Sequence, residues 1–177
     1  MNRTIFWVIG IIVAMLVLLC IFKYNSIAEL DEGLANAWTP LENVLQPRYD
    51  AVPKLVNEVI LYTGKEDKET KALADANKDY TSAGGMGAQV KAANKLEAAI
   101  SDMIIEGGQR YPGISSHYQF MNLKQGFQKT GEQMQQLVKG YNSSVDKYNS
   151  YIRKFPNNLI AFLLGFEYRA EYFKRTK

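Results

Sequence analysis

An all-α fold is what this sequence predicts, an N-terminal transmembrane helix continuing into an antiparallel bundle of three long helices and one short C-terminal helix. Three observations carry that expectation. Apolar residues recur at helical spacing along most of the chain, while strand-type alternation is hard to find. Ile5 to Phe22 is a stretch of 18 residues without a charge, about the length that crosses hydrocarbon as a slightly short helix. Finally, Phe120, Leu123, Phe127, Thr130, Met134, Leu137, Tyr141, Ser144, Tyr148, Tyr151 and Phe155 follow steps of three and four, so one seam of a long helix faces one partner surface.

Size and charge narrow the class further. The 177 residues fit one ordinary domain plus an anchor, here divided as residues 1–23 for the anchor and 24–177 for the bundle body. The net charge of +3 is spread along the chain, with only Lys174-Arg175-Thr176-Lys177 clustered, which does not support a nucleic-acid footprint. The single cysteine, Cys20, excludes an intrachain disulfide and any multi-cysteine metal site. No cofactor, metal or small-molecule substrate is expected.

The anchor comes first. Ile5, Phe6, Trp7, Leu16 and Phe22 are its candidate lipid-facing residues, and Arg3 and Lys23 flank the run. A cleavable signal peptide is the competing reading, since Ser26-Ile27-Ala28 offers small residues to a peptidase. The apolar run is longer than the roughly 7–15 residues of a signal core, which favours the anchor. A lipoprotein reading through Cys20 is weaker, because Leu19 stands where a small residue is needed. Arg3 and the terminal amine precede the span, whereas Glu29, Asp31 and Glu32 follow Lys23 with no further cation until Arg48; this predicts the N-terminus inside and the body outside the cytoplasm.

Beyond the anchor, apolar residues from Ile27 to Val59 keep a helical phase that runs to about Thr63. Pro40, Pro47 and Pro53 predict kinks, or alternatively breaks at Thr39 and Gln46. Gly64 ends this segment and Asp67 is a candidate cap. A second long helix is expected over about Asp67–Glu106, interrupted at Thr81–Gly87, where the glycines imply either a loop or a close approach of another helix. Ser116, with Gln119 as its capping-box partner, is expected to open the third helix, and Pro156 to close it near Phe155 after about 39 residues, or roughly 58 Å. Asn157 and Asn158 are candidate caps for the short helix behind the corner. If the three long helices run up, down and up, Phe155-Pro156 lies at the end far from the membrane.

Particular motifs now converge on one family. Tyr24-Asn25, Ala37-Trp38, Val52-Pro53-Lys54-Leu55-Val56 and Tyr111-Pro112 are joined by Tyr141-Asn142, Tyr148-Asn149, Phe155-Pro156-Asn157-Asn158-Leu159-Ile160-Ala161 and Gly165-Phe166. In this order and spacing the chain resembles the LemA family over nearly its whole length. The resemblance implies an amino-terminal membrane anchor in a bacterial cytoplasmic membrane, an antiparallel helical-bundle body and no established enzymatic activity. Some members are associated with magnetosome membranes, so membrane organisation is one role it implies.

Chemistry-bearing constellations are scarce. His117 is the only histidine, and no acid is placed to orient its imidazole, so a surface histidine is favoured over a catalytic one. Asp75 and Asp79 read as solvated charges balanced by Lys71 and Lys78. The candidate interaction residues are Tyr141, Asn142, Tyr148, Asn149, Phe155, Pro156, Phe162, Gly165 and Phe166. For the repeated Tyr-Asn, seven residues apart, either the tyrosines fill the core edge while their hydroxyls find partners, or the asparagines fix the register of another helix in coiled-coil fashion. Leu159–Phe166 reads as core closure rather than a membrane-binding face, yet eight residues without a charge exceed what one buried stripe needs, which points to a contact with another subunit and not to a second membrane anchor. The expected function is therefore a non-enzymatic, single-pass membrane scaffold that self-associates; the alternative is a monomeric anchored adaptor presenting its faces to a soluble protein partner.

Overall fold

The computed structural model describes residues 2–169 and 171–174, which form no strand. Six α-helices follow one another: α1 (Asn2–Asp50), α2 (Val52–Thr63), α3 (Lys68–Ser82), α4 (Met86–Arg110), α5 (Tyr118–Ile152) and α6 (Asn157–Leu164), with a 3₁₀ turn at Ile114–Ser116. They gather into two compact units. One combines Met1–Asn36 with Ser143–Arg169, the other Ala37–Asn142 with Ala170–Lys177.

The apolar run and the first body helix are one element, α1. Pro40 and Pro47 lie inside it, both on the exposed face, and the helix runs through them. The break falls instead at Ala51, whose N–H turns back to the Arg48 carbonyl at 3.3 Å. Pro53 then sits in the first turn of α2, where its missing N–H would have had no helical acceptor anyway.

In the second unit, Asp67 caps α3 as expected. Its side chain accepts from the Thr70 N–H at 2.9 Å, and the Thr70 hydroxyl oxygen accepts from the Asp67 N–H at 2.9 Å. The glycine segment proves to be a reversal. α3 stops at Ser82, Gly85 takes φ +80°, a region closed to most side chains, and α4 returns along α3 with Lys95 Nζ 2.6 Å from Asp79 Oδ2. The long helix expected over Asp67–Glu106, with a loop or break at the glycines, is thus a hairpin of two, and the loop is the alternative realised. One more reversal follows at Tyr111–His117, where Gly113 has φ +93° and a Cβ would meet the Tyr62 hydroxyl oxygen at 2.6 Å. Ser116 does not cap α5. Its N–H is taken by the Gly113 carbonyl in the 3₁₀ turn, and the His117 carbonyl accepts the first helical bond, from Met121 at 3.0 Å.

The core of α5 differs from the expected seam at its end. Phe120, Phe127, Met134, Tyr141, Val145, Tyr148 and Ile152 are buried, whereas Leu123, Thr130, Leu137, Ser144 and Tyr151 are half-buried on the margin. The helix stops at Ile152, so Phe155 lies outside it and is 83% exposed. Within the second unit α5 runs antiparallel to α1, Arg48 meeting Phe127 and Trp38 meeting Tyr141. Three reversals separate the two helices where the sequence had implied two, and an odd number brings α5 back.

The first unit shows the consequence. Ile27, Tyr148, Ile152 and Ala161 form one buried cluster, with Leu30, Tyr151 and Phe166 packed against it, and the Phe166 ring lies 5.7 Å from Tyr24. The corner and α6 therefore stand beside the part of α1 that directly follows the apolar run. The expectation that Phe155-Pro156 lies far from that run is corrected, and the cause is the glycine reversal.

Candidate functional site

A carboxamide carries one acceptor oxygen and one NH₂ donor, so an asparagine can take both backbone groups of an extended residue, as a neighbouring strand would. Two asparagines of α5 do this to the C-terminal tail. In the first unit Asn149 Nδ2 donates to the Arg169 carbonyl at 2.7 Å and its Oδ1 accepts from the Arg169 N–H at 2.9 Å. In the second unit Asn142 treats Phe173 likewise, at 2.9 Å for both bonds. Each preceding tyrosine adds a hydroxyl bond, Tyr148 to the Glu167 carbonyl and Tyr141 to the Glu171 carbonyl, both at 3.0 Å.

Asn94 on α4 completes the second grip. It donates to the Tyr172 carbonyl at 2.8 Å and accepts from the Lys174 N–H at 2.6 Å. Successive groups of an extended chain point to opposite edges, so Asn142 serves one edge at Phe173 and Asn94 the other. The Phe173 ring is buried. This is strand pairing without a second strand, and it is where the polar groups of Tyr141, Asn142, Tyr148 and Asn149 meet tail carbonyls and amides.

Beneath this lies a buried ion pair. Arg48 and Glu97 have side chains only 6% and 2% exposed, joined by two bonds of 2.7 and 2.9 Å. Nη1 of Arg48 also donates to the Phe127 carbonyl and, at 2.6 Å, to Thr130 Oγ1, while the guanidinium stacks 5.1 Å from the Phe127 ring centroid. Four guanidinium N–H bonds reach partners and both Glu97 oxygens accept, the kind of satisfaction that lets a buried pair persist. Burial pushes the neighbouring Tyr49 hydroxyl far above the usual tyrosine range, and the Glu97 charge adds to it, so Tyr49 stays neutral. The pair is given no role by the sequence alone, yet Leu41, Leu45, Arg48 and Val52 share one helical phase, as do Ala93, Glu97, Ile100 and Ile104. A charge on each of two apolar faces, opposite in sign, was the available signal. Above the pair opens a groove of about 620 Å³ bordered by Ile100, Ile104, Ile105, Met134, Val138 and Lys139.

The apolar corner in the first unit is the other candidate. Asn157 and Asn158 do not cap α6: Asn157 is its first residue and donates through Nδ2 to the Tyr151 carbonyl at 3.0 Å, tying the corner to α5. The Phe155-Pro156 peptide is cis. Ile160 and Ala161 point into the core, whereas Phe162 is 81% exposed and Pro156, Leu159, Leu163 and Leu164 are exposed with it. Gly165 ends α6 in the left-handed conformation, and Phe166 folds back half-buried onto Tyr24. The anchor residues Ile5, Phe6, Trp7, Leu16 and Phe22 are all exposed on α1.

His117 does have an acid partner, brought by the fold from α2: its Nδ1 lies 2.5 Å from Glu58 Oε1, and its ring 5.8 Å from that of Tyr62. Asp79 pairs with Lys95 of α4, not with a lysine of its own helix. Among the described residues no group of three or more His, Cys, Asp or Glu side chains comes together to hold a metal.

One helical stretch, beginning at Arg3, is long and apolar enough to cross a membrane, and none of its apolar window is buried against the protein. The family model described as the LemA family matches residues 37–177. No curated protein matches the chain.

Proposed function

The chain belongs to the LemA family, and from that premise we propose that it is a non-enzymatic, single-pass membrane protein acting as an anchored adaptor. The carrying observation is the continuity of α1: apolar run and body helix form one element from Asn2 to Asp50, with no flexible linker between them. A body tethered in this way is held at the bilayer, which suits presentation of a surface to a soluble protein. The groove over Arg48 and Glu97 is the surface we assign to that partner. The Arg48–Glu97 pair is satisfied internally, so Ile100, Ile104, Met134 and Val138 offer contact to apolar side chains while Glu132 and Lys139 are left for polar ones, as for the two sides of an amphipathic helix. The N-terminus lies inside and the body outside the cytoplasm, following the charges that flank the run.

A self-associating scaffold is the second reading, favoured by the exposed Phe162 and Leu163. The position of these residues beside the anchor gives them another partner, argued below, and this weakens the scaffold. Light scattering of the full chain in mild detergent at micromolar concentration separates the two. The adaptor reading expects one protomer per particle; a discrete larger assembly overturns it. A reporter active only outside the cytoplasm, fused after Lys177, is expected to be active, and activity of a cytoplasm-only reporter there reverses the orientation.

A further inference from the structure

We propose that α6 and the corner before it form a second membrane contact, lying in the headgroup zone of the bilayer that α1 crosses. The inference rests on the reading of α1 as a membrane span. Phe22 ends the apolar run; Ala161 of α6 packs in one cluster with Ile27, and Phe166, just behind α6, lies against Tyr24. At about 1.5 Å per residue those positions stand roughly 3 to 8 Å beyond the end of the run, which is the thickness of the interfacial layer on one side of a bilayer.

The chemistry of the corner fits that depth. Phe155, Leu159, Phe162 and Leu163 are all more than half exposed, and Ile21 and Phe22 at the end of the run are exposed in the same unit. Ile160 and Ala161 are buried on the opposite side, so α6 has one face for the protein and one for something apolar. Eight residues rise only about 12 Å and cannot span hydrocarbon, so α6 can lie along an interface but not cross it. Three cations belong to the same unit and stand near the corner. Lys23 sits 5.5 Å from the Tyr151 ring centroid, Arg153 sits 5.5 Å from that of Tyr168, and Lys154 is exposed beside Phe155. Cations beside exposed apolar side chains match the phosphate groups and acyl chains of an anionic bilayer.

The test uses the full chain with Cys20→Ser and one introduced cysteine carrying an environment-sensitive fluorophore, at Phe162, at Val13 in the run, or at the exposed Glu132. Each is reconstituted in vesicles of phosphatidylcholine and phosphatidylglycerol and quenched by lipid-borne nitroxides at headgroup or deep positions, and by aqueous iodide. The expected pattern is deep quenching for Val13→Cys, and for Phe162→Cys headgroup-depth quenching several-fold stronger than for Glu132→Cys, with loss of iodide access. If Val13→Cys is deep while Phe162→Cys is as open to iodide as Glu132→Cys, the second contact is refuted and the span stands. Shielding of Phe162→Cys that grows with the protein-to-lipid ratio and ignores lipid nitroxides refutes it in favour of a second copy. Failure of Val13→Cys to reach lipid overturns the span and the second contact with it.

Discussion

The tail is held in both units, and the two grips invite comparison. In the unit around Ile27, Asn149 takes both backbone groups of Arg169, and Tyr148 the Glu167 carbonyl. In the unit around Leu96, Asn142 and Tyr141 do the same to Phe173 and Glu171, and Asn94 adds the opposite edge. Asn149 is buried while Asn142 is half-buried. Around Arg169 the supplement comes from the side chain itself, 3.0 Å from Asp31 Oδ1 and 5.8 Å from the Tyr148 ring centroid. The same dipeptide is thus completed by a second amide in one place and by an exposed ion pair in the other. The dyad reads peptide groups, which every residue carries, so the repeat in α5 needs no matching repeat in the tail.

The largest effect belongs to the support beneath the Asn142 grip. Glu97→Ala leaves Arg48 buried without its carboxylate, and thermal unfolding of the full chain in detergent should show a loss of about 3–5 kcal/mol. Pairing Arg48→Met with Glu97→Leu should recover most of it, because no charge is then left unpaired. The grips themselves come next. Asn149→Ala strands two peptide groups at a buried site and should cost about 2 kcal/mol, against about 1 kcal/mol for Asn142→Ala, where water can reach the freed groups. Equal losses would mean that burial does not distinguish the grips. Asn94→Ala and Asn142→Ala should combine non-additively by about 0.5 kcal/mol or more, since both hold residues 172–174.

Smaller effects sharpen the outline. Asp67→Ala should lose about 1 kcal/mol through the α3 cap. Partial burial pushes the Asp67 carboxyl up, but bonds from the Thr70 N–H, the Tyr111 hydroxyl and the Thr70 hydroxyl outweigh it and hold the group below its ordinary value. A folded-state value below the unfolded one means that the stabilisation is present above about pH 4 and is lost as pH falls through the folded value. The gap between wild type and Asp67→Ala should therefore narrow in acid; a gap independent of pH contradicts the cap assignment. Smallest of all, Phe155→Ala should change stability by less than about 0.5 kcal/mol, because its ring touches solvent rather than core.

How much of this was written in the sequence varies with the kind of signal. Helix positions followed from apolar spacing, and Gly64 and Asp67 marked a turn correctly, because these signals act within a few residues. The glycines near Gly85 were consistent with either a loop or a close packing, since both require an absent side chain, and the direction of every later helix depended on which it was. Tyr-Asn stood out as a repeat, but its partner had no signature, because peptide groups leave no trace in composition. Arg48 and Glu97 were legible only as misplaced charges on two apolar faces, 49 residues apart.

Amide hydrogen exchange at Arg169 and Phe173 is the most direct test of the tail grip. In the full chain both amides should be protected although they lie in no helix or sheet. Asn149→Leu should release Arg169 while Phe173 stays slow, and Asn142→Leu should do the reverse. Protection that persists at Arg169 in Asn149→Leu, or fast exchange of both amides in the unaltered chain, would contradict the account.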